Sequence, residues 1–372
     1  MLEHDQVDGT SSSASCIAST GNQFCGTVAE TNKDLSSAVS TGRVSSGAES
    51  NCFRSAQLSA DGSTILTYNE DLRMRTYVLP VDLLAPHEQT QELKPYTTSR
   101  PKKILTSSVY PHYSLADPST TLILAAAVDV PISLVNALDY DYKHASYPWF
   151  NQMTEEPITP QSLLFTSSGT RFVAGAKERL AVFDVERPNE EPMLSFTTRK
   201  SKRARTAYGE HETPLGGILS ALSANPMNDL LAVGTTQRQV GIWAASGAGE
   251  KVTGFSIRDD TEPHVAGSGV TQLAWSSCGN YMFVAERVSD AILVYDIRQG
   301  KRLCALTGRR ASTLQRMSFE LVTSSDGGCD IWAGGTDGRT RIWRSVTDKT
   351  ETIEPSSEFH AHQGQCRCTI NP

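Results

Sequence analysis

One aromatic or bulky apolar residue recurs along this chain at nearly regular intervals. Each lies within an apolar run near the end of a repeating segment: Tyr77, Val135, Phe183, Trp243, Tyr295 and Trp343. The intervals between them are 58, 48, 60, 52 and 48 residues. A period of this length is typical of chains that arrange similar sheets around an axis, because each sheet buries its apolar face against the next. The spacing therefore predicts a β-propeller.

The segments also share a hairpin pattern before each of these anchors. Leu58-Ser-Ala-Asp-Gly62 precedes the run Thr64-Ile-Leu-Thr-Tyr68, and Trp275-Ser-Ser-Cys-Gly279 precedes Tyr281-Met-Phe-Val-Ala285. Short alternating runs joined at Asp-Gly or Ser-Gly indicate strands in tight hairpins. Phe183-Asp184 and Tyr295-Asp296 keep the acidic residue that follows the aromatic in WD repeats, whereas Trp243-Ala244 and Trp343-Arg344 do not. We therefore expect an all-β fold, a degenerate WD-repeat β-propeller over residues 49–372.

The first 48 residues have a different composition from the rest. They are rich in Ser, Thr, Gly and Ala and lack apolar periodicity, so we expect residues 1–48 to form a disordered tail. The start, Met1-Leu-Glu-His-Asp5, lacks the basic and apolar regions of a secretory signal, and no run approaches 18 apolar residues. The sequence thus favours a soluble intracellular protein with no membrane partner.

The overall charge limits the kind of partner. The chain has 34 basic and 41 acidic residues and a formal net charge of −7, which argues against bulk electrostatic coating of nucleic acid. Any nucleic-acid site must therefore be local. The eight cysteines show no framework spacing. His360, His362, Cys366 and Cys368 are close together but lack the separation between ligand pairs of ordinary zinc modules, so we expect no metal and no other cofactor.

Basic residues are expected to gather on one propeller face. If the strands of each blade run outward as a, b, c and d, the b–c turns and d–a loops share a face, which we call the upper face. Its d–a loops carry the candidate phosphate contacts Lys200, Lys202, Arg203, Arg205, Arg309, Arg310 and Arg316, and its b–c turns carry Lys177, Arg179, Arg238, Arg287 and Arg339. Acidic neighbours, Glu178, Asp290 and Asp337, dilute this charge.

The run Arg199-Lys-Ser-Lys-Arg-Ala-Arg205 allows several interpretations. It could be a solvated loop, a nuclear-import signal formed by Arg199, Lys200, Lys202, Arg203 and Arg205, or a set of phosphate contacts. These readings are not exclusive. The loop after the second blade supplies aromatic residues instead, and we expect Trp149 or Phe150 to stack on an RNA base. Edge packing between blades is the alternative for these rings.

Catalytic motifs are missing from the sequence. It contains no phosphate-binding G-x-x-x-x-G-K-[ST] loop, no G-x-S-x-G elbow and no H-E-x-x-H helix. Paired carboxylates such as Glu155-Glu156 lie in polar segments, where nothing would raise their pKa into a working range. We therefore predict a non-catalytic binding platform with no small-molecule substrate.

Several segments resemble the telomerase Cajal body protein family of WD-repeat proteins. Residues 51–62 (Asn-Cys-Phe-Arg-Ser-Ala-Gln-Leu-Ser-Ala-Asp-Gly), 65–67 and 72–80 resemble its first blade. Residues 312–320 (Ser-Thr-Leu-Gln-Arg-Met-Ser-Phe-Glu) resemble its T-x-x-Q-R-x-x-F-[DE] stretch, while residues 216–220 and 231–234 resemble its fourth blade. Residues 147–151 lie where the family has an aromatic-Asn stretch. The resemblance covers about residues 50–370.

This resemblance implies a nuclear, non-enzymatic subunit that binds a short element in small Cajal-body RNAs, including telomerase RNA in some lineages. Other members look like accessory factors of spliceosomal small nuclear ribonucleoproteins, and the sequence leaves this choice open. A protein-interaction scaffold of a nuclear, splicing-related complex, with no RNA contact of its own, is the rival hypothesis. The family fold implies seven blades, yet a seventh anchor would fall near position 391, so we expect the seventh blade to be largely missing, as in a truncated chain.

Overall fold

Glycine turns close the hairpins that the sequence predicts. In a computed structural model, which describes residues 15–21, 52–199, 214–258, 265–324 and 328–362, Gly62 and Gly279 adopt φ values of +69° and +70°. The turn at Gly62 is stabilised because the Asp61 carboxylate accepts hydrogen bonds from the Ser59 hydroxyl at 2.6 Å and the Ser63 hydroxyl at 2.8 Å. Tight turns of this kind connect strands of four to six residues.

The described residues form six antiparallel sheets, each with its strands in chain order apart from two short additions. The first three blades contain β2 (Phe53–Leu58), β3 (Thr64–Asn69), β4 (Met74–Val78) and β6 (Thr97–Thr98); β7 (Ile104–Val109), β8 (Leu122–Ala127), β9 (Ile132–Asn136) and β10 (Asp139–Tyr147); and β11 (Ser162–Phe165), β12 (Arg171–Ala176), β13 (Arg179–Asp184) and β14 (Leu194–Thr197). The next three contain β15 (Leu219–Ala224), β16 (Leu231–Thr235), β17 (Gln239–Trp243) and β18 (Lys251–Ser256); β19 (Val270–Trp275), β20 (Tyr281–Glu286), β21 (Ile292–Asp296) and β22 (Lys301–Leu306); and β23 (Phe319–Thr323), β24 (Cys329–Gly334), β25 (Arg339–Trp343) and β27 (Ser357–His360).

Two short strands lie outside the four-stranded pattern. β26 (Thr352–Ile353) pairs in parallel with β22 and covers the outer edge of the fifth blade. β1 (Ala18–Ser19) pairs in parallel with β5 (Gln91–Glu92), so residues 15–21 are an exception to the disorder expected of residues 1–48. Short 3₁₀ helices lie at Ala245–Gly247 and Val346–Asp348.

All six sequence anchors lie on the third strand of a blade, which confirms the WD-repeat propeller. Tyr77, Phe183, Trp243 and Trp343 are at most 3% exposed. Apolar side chains on the second and third strands therefore make the core, and the outer strands are more exposed. The six described blades do not test the prediction of a seventh, largely missing blade.

Apolar clusters join consecutive blades. Separate clusters connect the first blade to the second, the second to the third, the third to the fourth, the fourth to the fifth and the fifth to the sixth. Within the described ranges, no such cluster connects the sixth blade to the first. Since burial of apolar surface contributes about 25 cal/mol per Å², these five seams stabilise the arrangement of the blades.

The structure bears on membrane-spanning helices and metal sites only within the described residues. None of their helical segments has the length and apolar character needed to cross a membrane. The part of the chain that the structure describes, which includes His360 and His362, contains no group of three His, Cys, Asp or Glu side chains placed to hold a metal ion. Cys366 and Cys368 lie outside these residues.

The aromatic seam between the second and third blades generates a stability prediction. Phe183 stacks on Phe172 with ring centroids 4.7 Å apart and is 1% exposed. We expect Phe183→Ala to lower the free energy of unfolding by about 3–5 kcal/mol, because it leaves a cavity in a packed seam. Urea denaturation measures the change. Phe150→Ala, at a ring that is 43% exposed, is the control and should change stability by less than about 1 kcal/mol.

Candidate nucleic-acid interface

Backbone hydrogen bonds connect the loops of the upper face into a continuous surface. The amide of Glu178 donates to the carbonyl of Gly217 at 2.9 Å, and that of Thr236 donates to Ile218 at 3.0 Å. Farther around the ring, Val288 donates to Thr313 at 3.1 Å. Each of these bonds joins a b–c turn to a neighbouring d–a loop. The positions of side chains on the upper face are therefore set by the propeller and not by independent loops.

Arg309 does not lie on this surface. Its side chain is completely buried, with one guanidinium nitrogen, Nη2, donating to the carbonyl of Ser318 at 2.8 Å. Nε and Nη1 have no hydrogen-bond partner within the described ranges, and burial lowers the pKa of Arg309 to about 10. Its carbonyl accepts a hydrogen bond from Arg341 Nη1 at 3.2 Å. The prediction that Arg309 contacts RNA phosphate is thus corrected. Arg309 instead supports the loop through hydrogen bonds inside the protein.

Arg310 and Arg316, from the same loop, are accessible. Arg310 points outward with its side chain 69% exposed and 3.5 Å from the Asp337 carboxylate, a weak and solvated contact. Arg316 lies at the mouth of the central channel, where a guanidinium nitrogen donates to the carbonyl of Ser220 on β15. The two arginines therefore face different parts of the upper face, the rim and the channel.

The predicted basic run is described only at its first residue. Arg199 is exposed and forms an ion pair with Glu178 at 3.1 Å. Lys200, Lys202, Arg203 and Arg205 lie outside the described residues. Their assignment to phosphate contact or nuclear import stays a prediction.

The two aromatic candidates differ in accessibility. Trp149 is 3% exposed, lies 6.2 Å from Phe183 in an edge arrangement and donates its indole N–H to the Ser195 hydroxyl at 3.1 Å. It packs between blades, so the prediction that it stacks on a base is corrected. Phe150 is 43% exposed on the loop that follows β10. Of these two rings, Phe150 alone is open to a partner.

Carboxylates neutralise a subset of the upper-face cations. Arg54 pairs with Glu70 at 2.6 Å, and Arg238 holds the buried Glu286 through two hydrogen bonds of 2.8 and 2.9 Å. Arg341 pairs with Asp337 at 2.6 Å. Other ion pairs of this face are Arg75 with Asp71, Arg100 with Asp141 and Arg339 with Glu358. Acidic neighbours therefore reduce the positive charge of the upper face, as the sequence suggests, but they do so only at the arginines that form these ion pairs.

Other upper-face cations have no carboxylate partner among the described residues. Lys103, Lys177 and Arg287 are exposed, and Arg179 is partly exposed. Lys103 follows Lys102 in the d–a loop between the first two blades, a site that sequence reasoning missed. The signal was present in Arg100-Pro-Lys-Lys103, a short basic run next to a strand. These cations and Arg310 form an arc across several blades.

The central channel opens at the centre of this arc. Its upper part is a cavity of about 420 Å³ lined by Arg54, Thr106, Gln315 and Arg316, and its lower part is one of about 480 Å³ lined by Ser59, Ser108 and Glu320. Gln57 lines both, so the two cavities adjoin at this side chain. The Glu70 carboxylate also lines the upper part, where it pairs with Arg54, so the net positive charge of the mouth comes from Arg316, and the Glu320 carboxylate lies farther in.

Comparisons with known proteins agree with this architecture. The chain is 34% identical over 309 residues to a fission-yeast protein, Guanine nucleotide-binding protein negative regulator 1 of Schizosaccharomyces pombe, covering 81% of the chain and 73% of that protein. It is 26% identical over 300 residues to human Telomerase Cajal body protein 1, covering 79% of the chain and 50% of that protein. The chain belongs to the telomerase Cajal body protein family.

The chain is also similar to proteins of lower sequence identity. Protein SWT21 of Vanderwaltozyma polyspora is 24% identical over 257 residues, covering 66% of the chain and 56% of that protein. The chain thus spans about half the length of several curated relatives that it matches. No family profile matches the chain.

Residues 312–320, the stretch that resembles the family pattern, contribute Gln315, Arg316 and Glu320 to the polar lining of the channel. Gln315 and Arg316 lie at the upper mouth, and Glu320 lies deeper. Burial raises the pKa of Glu320 to about 7, and its carboxylate makes no hydrogen bond within the described residues. Reduced solvation inside the channel, with the nearby charge of Arg287, lowers the pKa of Arg316.

The raised pKa of Glu320 gives a pH-dependent prediction. Because the folded protein binds this proton more tightly than the unfolded chain, the glutamate destabilises the fold as pH rises from about 4.5 to about 7, and the cost persists above that. We expect Glu320→Gln to unfold at a higher temperature than the parent protein at pH 8, because its free energy of unfolding should be greater there by at most about 3 kcal/mol. Near pH 4.5 the two proteins should have similar stability. Thermal unfolding across pH measures the difference, and an equal gain at both pH values would contradict this assignment.

Proposed function

We propose that this protein is a non-catalytic nuclear WD-repeat subunit of a small ribonucleoprotein and that its upper face binds RNA. The observation that carries the proposal is the arc of cations without carboxylate partners on loops fixed by hydrogen bonds, joined at the rim by the weakly paired Arg310. Lys103, Lys177, Arg287, Arg310 and Arg316 belong to it. In a chain with a formal net charge of −7, this concentration of accessible cations favours a local polyanion site.

Single-stranded RNA suits this surface better than a duplex. The cations follow the ring from blade to blade, and Phe150 presents an accessible ring at one d–a loop. Base stacking on an aromatic ring contributes about 1–3 kcal/mol, while lysine and arginine contact the phosphates. Lys200, Lys202, Arg203 and Arg205 would extend the arc from Arg199, and the same run could direct nuclear import.

The names of the relatives support the kind of RNA. Telomerase Cajal body protein 1 carries telomerase and the Cajal body in its name. We therefore propose a small nuclear or Cajal-body-type RNA, including telomerase RNA, as the ligand, with other ribonucleoprotein proteins as partners. The protein would support assembly or localisation of the particle without catalysing a reaction.

Charge reversal at the rim tests the RNA surface. We expect Arg310→Glu and Lys103→Glu each to weaken RNA binding by about tenfold at moderate salt, since each replaces a phosphate contact by a repulsion. For single-stranded RNA, the plot of log affinity against log salt should become shallower by about 0.7 for each phosphate interaction that a variant removes. Crosslinking and sequencing of bound RNA from cells identify the ligand, and binding to that RNA measures the variants.

Two further variants act as controls. Arg187→Glu reverses an exposed charge on the opposite face and should leave RNA affinity unchanged. Arg309→Met removes a buried side chain that supports the loop but makes no phosphate contact, so the salt dependence of RNA binding by the folded variant should be unchanged. If no small nuclear RNA is enriched over a control propeller, the proposed function is wrong.

A protein-interaction scaffold without direct RNA contact is the second candidate. The name Guanine nucleotide-binding protein negative regulator 1, carried by the fission-yeast relative, favours it because it refers to regulation of another protein. The complex would be nuclear and related to pre-mRNA splicing. Pull-down of the protein after nuclease digestion separates the two: partners that survive digestion support the scaffold, whereas partners that disappear with the RNA support the RNA-binding subunit.

A further inference from the structure

The upper channel mouth combines a small-molecule-sized cavity with uncompensated positive charge. Its volume of about 420 Å³ lies within the range of roughly 300–1,000 Å³ typical of ligand sites. Polar side chains line much of it, including Thr106, Ser107 and Gln315. The cavity can therefore supply hydrogen bonds as well as charge to a group that enters from the upper face.

The two arginines at this mouth have different electrostatic environments. Arg54 is neutralised by Glu70, through hydrogen bonds of 2.6 Å from both Nε and Nη2 to the two carboxylate oxygens. Arg316 donates to a backbone carbonyl, that of Ser220, and no described carboxylate lies within ion-pair distance of it. The positive charge of the mouth therefore comes from Arg316.

Arg287 adds a second cation beside it. The b–c turn that carries Arg287 is held against the loop of Arg316, because the amide of Val288 donates to the carbonyl of Thr313 at 3.1 Å. Arg287 is exposed, and its charge contributes to the lowered pKa of Arg316. Arg287 does not line the cavity, but its charge raises the positive potential at Arg316, and an anion bound at Arg316 would offset the repulsion between the two cations.

We propose that the upper mouth of the channel binds a terminal phosphate group, with Arg316 as its cationic contact, Gln315 as an additional donor and the nearby charge of Arg287 adding to the attraction. A terminal phosphate carries about −1.5 to −2 charge and so matches two arginines better than an internal diester. Glu320 lies farther along the channel and would repel an anionic chain that continued past the mouth. The site therefore takes the end of a strand, or a free nucleotide, and does not thread RNA.

The phosphate can come from two sources. If it belongs to the end of a single-stranded RNA, the inference rests on the proposed function and adds recognition of a strand end to it. If it belongs to a free nucleotide, the site acts independently of RNA binding. Both sources offer the same chemistry to Arg316, and the ligands chosen for the test distinguish them.

The test compares short single-stranded RNAs of one sequence with a phosphate at the 5′ end, at the 3′ end or at neither end, together with a nucleoside and its monophosphate. Titration of the full chain measures affinity. We expect one phosphorylated end, or the nucleoside monophosphate, to bind about tenfold more tightly than its unphosphorylated counterpart, the effect of about one additional charged hydrogen bond. Arg316→Gln should abolish this preference.

Further variants separate the channel site from the rim. Arg310→Gln should weaken all the RNAs alike and preserve the preference for a terminal phosphate. Arg287→Gln changes an exposed side chain and should reduce the preference several-fold, which keeps the test decisive if Arg316→Gln fails to fold. Arg187→Gln on the opposite face should change nothing.

The terminal-phosphate site and the proposed RNA-binding function can fail independently of each other. Equal affinity for phosphorylated and unphosphorylated ligands, RNA and nucleoside alike, would overturn the terminal-phosphate site even if RNA binds well through the rim. Binding of a nucleoside monophosphate that is abolished in Arg316→Gln would support the site even if no RNA binds.

Discussion

Apolar packing between neighbouring blades is the constraint on which the rest of this structure depends. A single four-stranded blade exposes apolar side chains on both of its faces, so each blade requires a neighbour. Phe172 and Phe183 illustrate this, because they stack within one blade and also pack on Tyr147 from the preceding blade. Once the seams fix the angle between blades, the turns at their ends come close enough to form hydrogen bonds with one another.

Those hydrogen bonds turn separate loops into a binding surface. A loop held at its backbone presents its side chains with little loss of conformational entropy on binding. This organisation places Arg287 beside the loop of Arg316 through the bond between Val288 and Thr313. The same organisation buries Arg309 while its neighbour Arg310, with a φ of +55°, turns outward. Of these two adjacent arginines, Arg309 therefore has a structural role, and Arg310 is available at the surface.

The sequence predicted the fold better than the site. Anchors such as Trp243 and Trp343 are found on third strands because apolar periodicity reports burial within a blade directly. The charge of a loop residue does not indicate in the same way whether its side chain is buried or exposed. Nothing in the sequence distinguishes Arg309 from Arg310. Trp149 is buried in a contact between two blades, where it packs in an apolar cluster and donates to Ser195, and its own sequence neighbours do not reveal this. The basic residues at 102 and 103 were missed because two lysines beside a short strand do not stand out in a charged chain.

Residues 312–320, which resemble a stretch of the family, place charged side chains along the channel. Arg316 and Glu320 are four residues apart, yet no ion pair joins them within the described structure, so neither charge cancels the other. A cation at the mouth attracts an anionic group from the upper face, and a carboxylate behind it sets a limit to how far that group can enter. Because Glu320 has a pKa of about 7, this limit weakens as the carboxylate is protonated. An anion should therefore enter the channel more easily below neutral pH than above it.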